Sequence, residues 1–85
     1  MKADNKKINR KLNIAKGQLE GIQKMVSEDA YCLDISNQLL ATMSLLKNVN
    51  NDIISAHLNH WILTATEADL KAKLSEIETL LKRIS

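Results

Sequence analysis

The stretch Ala30–Leu63, with the sequence AYCLDISNQLLATMSLLKNVNNDIISAHLNHWIL, contains no proline and no glycine. Because both helix breakers are absent, it predicts one continuous helix, which at 1.5 Å per residue would be about 50 Å long. A chain of 85 residues is too short to cover the whole surface of such a rod. The stretch therefore predicts an all-α fold built on a long central helix that a second subunit partly covers.

Apolar residues form two stripes along this predicted helix. One stripe consists of Leu39, Met43, Leu46, Ile53 and His57. The other consists of Ile35, Thr42, Leu45, Val49 and Ala56. A helix that is apolar on two sides is generally buried on two sides. We expect the neighbouring helices of the same chain to cover one stripe and a second copy of the chain to cover the other.

A shorter amphipathic helix is predicted on each side of the central one. The first spans about residues 5–26, and its apolar residues alternate steps of four and three: Ile8, Leu12, Ala15, Leu19, Ile22 and Val26. The third repeats this spacing with Leu70, Leu74, Ile77, Leu81 and Ile84. Ser27-Glu28-Asp29 supplies N-cap residue types for a central helix starting near Ala30. Thr64-Ala65-Thr66-Glu67 matches a capping box for the third helix.

Length and composition exclude several classes of protein. The chain is short enough for one domain over residues 1–85, and strands are improbable without β-rich segments. No apolar run reaches the roughly 18 residues of a membrane span, and the start MKADNKK is polar, so we expect a cytoplasmic protein. A single cysteine cannot form an intrachain disulfide. Glycine-rich phosphate loops, Ser/His/Asp arrangements and paired carboxylates are absent, so we do not expect an enzyme.

Positive charge is concentrated in the first helix. Residues 1–24 carry seven basic and two acidic side chains, a net charge of +5, whereas the rest of the chain has a net charge of −3. Such asymmetry indicates a polyanion-binding surface, with a merely solvated helix face as the alternative. If the polyanion is DNA, we expect phosphate contacts from Lys7, Arg10, Lys11 and Lys16, with contributions from Gln18 and Lys47.

Cys32 and His57 are the candidate reactive or metal-binding residues. Cys32 falls in the first turn of the central helix, where the helix dipole favours a thiolate; the alternative is a small buried hydrophobe. His57 lies 25 positions later, roughly 37 Å along the helix, and is otherwise a core histidine. The two could meet only between subunits whose central helices run antiparallel. His60 offers a weaker second imidazole, and Trp61 is expected to anchor an interface.

Two segments resemble a known family of bacterial regulators. They are KGQLEGIQKMVSEDAYCLDISNQL, residues 16–39, and HLNHWI, residues 57–62. Their glycine-glutamine run, the Glu-Asp-x-Tyr-Cys pattern and the spacing to the His-Leu pair are similar to those of the CsoR/RcnR family of metal- and thiol-sensing repressors. The resemblance covers nearly the whole chain.

The resemblance implies both an architecture and a mechanism. Members form three-helix subunits, antiparallel dimers through the second helix, and disc-shaped tetramers. They bind operator DNA without a helix-turn-helix and release it when an inducer occupies a site between protomers. In copper-sensing members this site takes a Cys from one subunit and a His and a second Cys from the other. Cys32 and His57 match the first two positions, and the resemblance implies that Tyr31, Trp61 and Glu76 line the site.

The sequence departs from the family at the remaining ligand positions. Trp61 stands where copper-sensing members have the second Cys, so a soft donor for trigonal Cu(I) is missing, as is the dithiol of the persulfide-sensing members. His60 is one residue out of register with the histidine of nickel- and cobalt-type members. A single Cys with a His is similar to the formaldehyde-responsive branch, whose N-terminal Pro is not found in MKADN.

Two interpretations of the site therefore stay open. In the first, the chain is a repressor induced by thiol modification of Cys32, or by a soft metal such as Cu(I) bound by Cys32 and His57. In the second, it is a helical oligomeric interaction or DNA-binding module that has lost sensing, with Trp61 filling the site.

Overall fold

The computed structural model describes residues 3–64 and 66–84, and these residues contain three helices and no strand. They are α1 (Asn5–Ser27), α2 (Cys32–Thr64) and α3 (Glu67–Ile84). The predicted all-α class and three-helix architecture are confirmed. The molecule is flat and elongated, measuring 54 × 27 × 12 Å, because α2 runs along its whole length. No helix in the described part of the chain is long and apolar enough to cross a membrane.

The segment between α1 and α2 terminates α1. Asp29 adopts a left-handed conformation, with φ of 52°. The amide of Ala30 donates to the carbonyl of Met25 at 2.9 Å, and the amide of Asp29 donates to that of Val26 at 3.1 Å. This is the hydrogen-bond pattern of a Schellman C-cap. The prediction that Ser27-Glu28-Asp29 caps the start of the next helix is therefore wrong, and α2 begins two residues later than Ala30.

The other predicted cap is also displaced. Thr66 Oγ1 accepts a hydrogen bond from the amide of Asp69 at 3.2 Å, so Thr66 is the N-cap of α3. The capping box was predicted with Thr64 as its cap, but Thr64 still belongs to α2. Ala65 and the side chain of Thr64 lie outside the described residues. At the start of the chain, the Asp4 carboxylate caps α1 by accepting from the amides of Lys6 and Lys7.

Helix α1 packs antiparallel to α2, and only part of its apolar stripe faces α2. Alternate members of its predicted stripe are buried: Ile8, Ala15 and Ile22. The other members, Leu12, Leu19 and Val26, are 41%, 47% and 56% exposed. On α2 the second predicted stripe faces α1, and Thr42 and Val49 are buried there. Half of the apolar stripe of α1 is therefore buried within a subunit, and the other half is left uncovered.

Large apolar surfaces remain uncovered on the isolated subunit. On α2 these are Leu39, Met43 and Leu46 of the first predicted stripe, together with Leu40. Helix α3 contains no buried residue, and its Leu74, Leu81 and Ile84 are also exposed. Contiguous apolar patches of this kind generally mark an interaction surface. Helix α2 is therefore covered by the basic helix α1 on one side, and it keeps an uncovered apolar face on another.

Candidate functional site

Cys32 is the first residue of α2, and its thiol is free and exposed. Tyr31, which immediately precedes the helix, is also exposed. The carbonyl of Tyr31 accepts from the amides of Asp34 and Ile35, so the first turn of α2 starts directly at the cysteine. Within this subunit Cys32 is therefore an accessible thiol, and the alternative of a buried hydrophobe is not met.

His57 and Trp61 lie together at the other end of α2. Their ring centroids are 5.6 Å apart, with the planes inclined by 47°. Both rings line an open groove of about 320 Å³ between α2 and α3. The remaining lining residues are mostly aliphatic: Ile53, Ile54, Ile77 and Leu80, with the carboxylate of Glu76. An apolar groove with a few convergent polar groups has the character of a ligand site.

A lysine from α3 covers the tryptophan. Lys73 Nζ lies 5.6 Å from the centre of the Trp61 ring and 3.5 Å from Glu76 Oε2. The ammonium is therefore attracted both by the aromatic face and by the carboxylate. This contact explains the orientation of Trp61, which the sequence could not specify because Lys73 belongs to another helix. His60 is half-buried on α2 and is not one of the residues lining this groove.

The donor set of one subunit does not fit a metal site. Among the described residues, no group of three or more His, Cys, Asp and Glu side chains could hold a metal ion. Cys32 and His57 belong to opposite ends of the same helix, roughly 37 Å apart along its axis. A site combining them needs a second copy, and it would contain one thiolate and one imidazole. Because Trp61 cannot ligate, this set does not fit three-coordinate Cu(I).

The predicted DNA-contacting residues divide into two groups. The first group is exposed and consists of Lys7, Arg10 and Lys16 on α1 and Lys47 on α2. Lys47 also lines a second hollow, together with Leu81 and Ile84 of α3. The other two have partners on α2. Lys11 Nζ lies 2.5 Å from Asp52 Oδ2 and from Asn48 Oδ1, and Gln18 Oε1 is 2.8 Å from Thr42 Oγ1. The exposed group can reach phosphate, whereas the second group joins α1 to α2.

Asp52 is a residue that the sequence interpretation missed. It lies four positions after Asn48 and so shares one face of α2 with it, which was the available signal. The hydrogen bond from Lys11 is the largest cause that lowers the pKa of the Asp52 carboxyl; burial opposes it, and the charges of Lys11 and Lys7 lower the pKa further. Asp52 is therefore held in its ionised form.

A subunit of three helices, with an exposed basic helix and an accessible thiol at the start of a long central helix, defines a class of helical DNA-binding regulators. The family model described as metal-sensitive transcriptional repressor matches residues 4–83. The chain belongs to this family, so the resemblance to CsoR/RcnR proteins is confirmed. Since its homologues are transcriptional repressors, the expectation that it is not an enzyme is confirmed as well.

Individual relatives agree with this assignment. The copper-sensing transcriptional repressor RicR of Mycobacterium tuberculosis H37Rv is 31% identical over 78 residues, covering 88% of this chain and 81% of the relative. The copper-sensing transcriptional repressor CsoR of Bacillus subtilis 168 is 33% identical over 79 residues, covering 92% and 78%. The nickel-responsive transcriptional regulator InrS has a similar structure, with a TM-score of 0.78, 26% identity, and coverage of 100% and 97% of the two chains.

Proposed function

We propose that this protein is an oligomeric repressor whose inducer acts at a site shared between subunits, formed by Cys32 of one copy and His57 of another. The repressor binds operator DNA in the cytoplasm. The observation that carries the proposal is the placement of an exposed thiol at one end of α2 and of a histidine-lined groove at the other. In an antiparallel pair of α2 helices these two ends lie side by side, and the site occurs twice.

The uncovered face of α2 supports this pairing. If Cys32 lies beside His57 of a second copy, the two-fold axis crosses α2 midway between them, near residues 44 and 45. Exposed apolar side chains lie on both sides of this midpoint: Leu39, Leu40, Met43 and Leu46. Their burial would provide the favourable free energy of association. Exposed apolar residues of α1 and α3 provide further surface for assembly of dimers into a tetramer.

Covalent modification of Cys32 is the favoured signal. A soft electrophile needs only an accessible thiolate, formed when the thiol proton passes to solvent or to His57 of the second copy. The sulfur lone pair then forms the new bond while a bond of the electrophile breaks, and the electron pair of that bond goes to the carbonyl oxygen of an aldehyde or to the leaving thiolate of a persulfide donor. Weak binding of Cu(I) or another soft metal by Cys32 and His57 is the second possibility. The similarity to copper-sensing repressors favours metal binding, and the missing third donor opposes it. Tyr31, Trp61 and Glu76 would surround either inducer, and His60 is a secondary candidate.

The DNA-binding surface of the proposal consists of the exposed residues Lys7, Arg10, Lys16 and Lys47. Flexible ammonium and guanidinium groups displace condensed counterions when they contact phosphates, so binding of this kind weakens steeply with salt. Lys11 and Gln18 lie beside this surface, in the seam between α1 and α2.

A second candidate function is a DNA-binding or interaction module that no longer senses an inducer. The contact between Trp61 and His57 favours it, because a tryptophan packed on the histidine could fill the groove. In this alternative Cys32 would become buried and inert in the oligomer. Titration of the native protein with a thiol reagent separates the two functions, since only the sensing protein has a fast-reacting Cys32.

The proposed function is tested by a DNA-binding assay with DNA from upstream of the protein's own coding region. Cu(I), Ni(II), Zn(II), formaldehyde and a persulfide donor are added in turn. We expect one of them to release the DNA, and Cys32→Ser to leave DNA binding intact but to abolish the release. Ser36→Ala, at another exposed position of α2, is the matched control. Full induction of Cys32→Ser would show that sensing does not use this thiol.

A further inference from the structure

The seam between α1 and α2 contains polar residues although an apolar seam was available. The residues of α1 that are buried against α2 or bonded to it are Ile8, Lys11, Ala15, Gln18 and Ile22. Leu12 and Leu19 directly follow the two polar residues, and with them the seam would be apolar throughout. Because successive residues are 100° apart on a helix, the two seams differ by a rotation of α1 of about 50°.

Lys11 stabilises the observed rotation through two contacts with α2. Its Nζ directs donors to both Asp52 and Asn48, and the side chains of the ion pair are only 22% and 31% exposed. A partly exposed pair adds little to overall stability. Rotating α1 to the apolar seam would nevertheless break both contacts and leave the Asp52 carboxylate facing Leu12. The ion pair therefore discriminates between the two rotations more than it stabilises the fold.

Gln18 makes a similar contact two turns further along α1. Thr42 is only 3% exposed. Its hydroxyl oxygen lies 2.8 Å from Gln18 Oε1 and 3.1 Å from the carbonyl oxygen of Gln38. A hydroxyl donates only one proton. With the amide of Gln18 turned over, its Nε2 donates to Thr42 while Thr42 donates to Gln38, and both contacts are satisfied. The same rotation of α1 that breaks the Lys11 pair would break this contact.

We propose that Lys11 and Gln18 are positioning residues that select the rotation of α1 and so direct Lys7 and Arg10 toward DNA. The inference rests on the proposed function. At a helix radius of about 5–6 Å, a 50° rotation would move the ends of these side chains by about 5 Å, enough to separate a cation from its phosphate. Polar residues select among alternative packings of helical seams in the same way. The selected rotation also leaves Leu12 and Leu19 facing outward.

DNA binding measured against salt concentration tests the proposal. The variants are Lys11→Met, Asp52→Asn and the exchange Lys11→Glu with Asp52→Lys, and Lys16→Met is the control for an exposed lysine of α1. We expect Asp52→Asn to weaken binding about fivefold although it removes a negative charge. Lys11→Met should weaken binding similarly with the salt slope unchanged, because DNA still binds the fraction of molecules in which α1 has the wild-type rotation. The exchange should restore affinity. Lys16→Met should lower the log–log slope by about 0.9.

The opposite result would show that Lys11 contacts phosphate directly. In that case Asp52→Asn strengthens DNA binding, because Lys11 is released, and Lys11→Met lowers the salt slope as Lys16→Met does. Either observation overturns the proposal.

A measurement without DNA separates this proposal from the proposed function. Methyl NMR on the variant with Lys11→Ala and Gln18→Ala should show new contacts between Leu12 and Val49, which signal rotation of α1. Alanine removes both polar contacts without adding a large apolar side chain to the observed seam, and its high helix propensity preserves α1. If the wild-type protein does not bind DNA, the proposed function fails. The methyl contacts between Leu12 and Val49 would still show whether the polar residues set the rotation of α1. If the variant keeps the wild-type contacts, the positioning role is refuted.

Discussion

The indole of Trp61 lies against the imidazole of His57, with ring centroids 5.6 Å apart, at the end of α2 opposite to Cys32. Lys73 Nζ from α3 lies 5.6 Å from the centre of the indole ring. The aromatic contact makes the groove apolar next to its one imidazole. A reagent that reacts with the thiol of a second copy would therefore be enclosed by apolar side chains, whereas a metal ion would lack a third donor.

Replacing Trp61 with Cys should create the missing donor. We expect the affinity for Cu(I) to rise about tenfold or more, because a second thiolate joins Cys32 and His57 in the proposed shared site. Competition with a Cu(I) chelator measures this affinity, and Trp61→Phe controls for loss of the indole. An unchanged affinity in Trp61→Cys would contradict the arrangement of the shared site.

Introducing a charge into the uncovered face of α2 should prevent association. Met43→Glu places a carboxylate beside the proposed two-fold axis, where it would be desolvated in the dimer. Sedimentation should show an oligomer for the wild type and a smaller species for this variant. Asn37→Glu, at an exposed polar position of the same helix, should leave the oligomer intact. A well-folded wild-type monomer at micromolar concentration would refute the proposed pairing.

The ion pair between Lys11 and Asp52 should make stability depend on pH in acid. In the folded state the pKa of the Asp52 carboxyl is lowered from the ordinary value of 3.8, mainly by the hydrogen bond from Lys11. The stabilisation is therefore complete above about pH 3.8 and is lost as the pH falls through the lower, folded-state pKa. Thermal unfolding should show the wild type more stable than Asp52→Asn at neutral pH, with the difference vanishing in acid. Since the pair is partly exposed, high salt should reduce the difference.

Replacing Arg10 with Ala should weaken binding to all DNA sequences alike. Arg10 is exposed on α1, and each lost phosphate contact should lower the log–log salt slope by about 0.9. Lys71→Ala on α3 removes the same charge from another helix and should leave the slope nearly unchanged. An identical slope for wild type and Arg10→Ala would place the DNA contacts elsewhere.

A glycine at position 29 should stabilise the fold. Asp29, the residue after the C-cap of α1, has φ of 52°, a conformation that costs residues other than glycine free energy. We expect Asp29→Gly to raise the free energy of unfolding by roughly 0.5–1 kcal/mol and Asp29→Ala to lower it. Denaturant unfolding measures both changes. Destabilisation by Asp29→Gly would mean that the carboxylate makes a stabilising interaction.

The sequence by itself determined the helices and the character of their surfaces. Apolar periodicity predicted α1 and α3, and the unbroken stretch from Ala30 predicted α2, because these features depend on residues close together in the chain. The basic character of α1 and the position of Cys32 in the first turn of α2 follow from residue types alone. The two caps were misplaced because neighbouring polar residues offered several local alternatives.

Only the tertiary structure decided which side of α1 faces α2 and which residue of α3 meets Trp61. Lys11 and Asp52 are 41 positions apart, and nothing in the spacing of either helix links them. Two seams of α1 share Ile8, Ala15 and Ile22, so the apolar pattern fits both, and the polar contacts to α2 select between them. Similarly, Lys73 of α3 contacts the ring of Trp61 on α2. Rotation and side-chain stacking depend on contacts between distant residues, and these exist only once the helices pack.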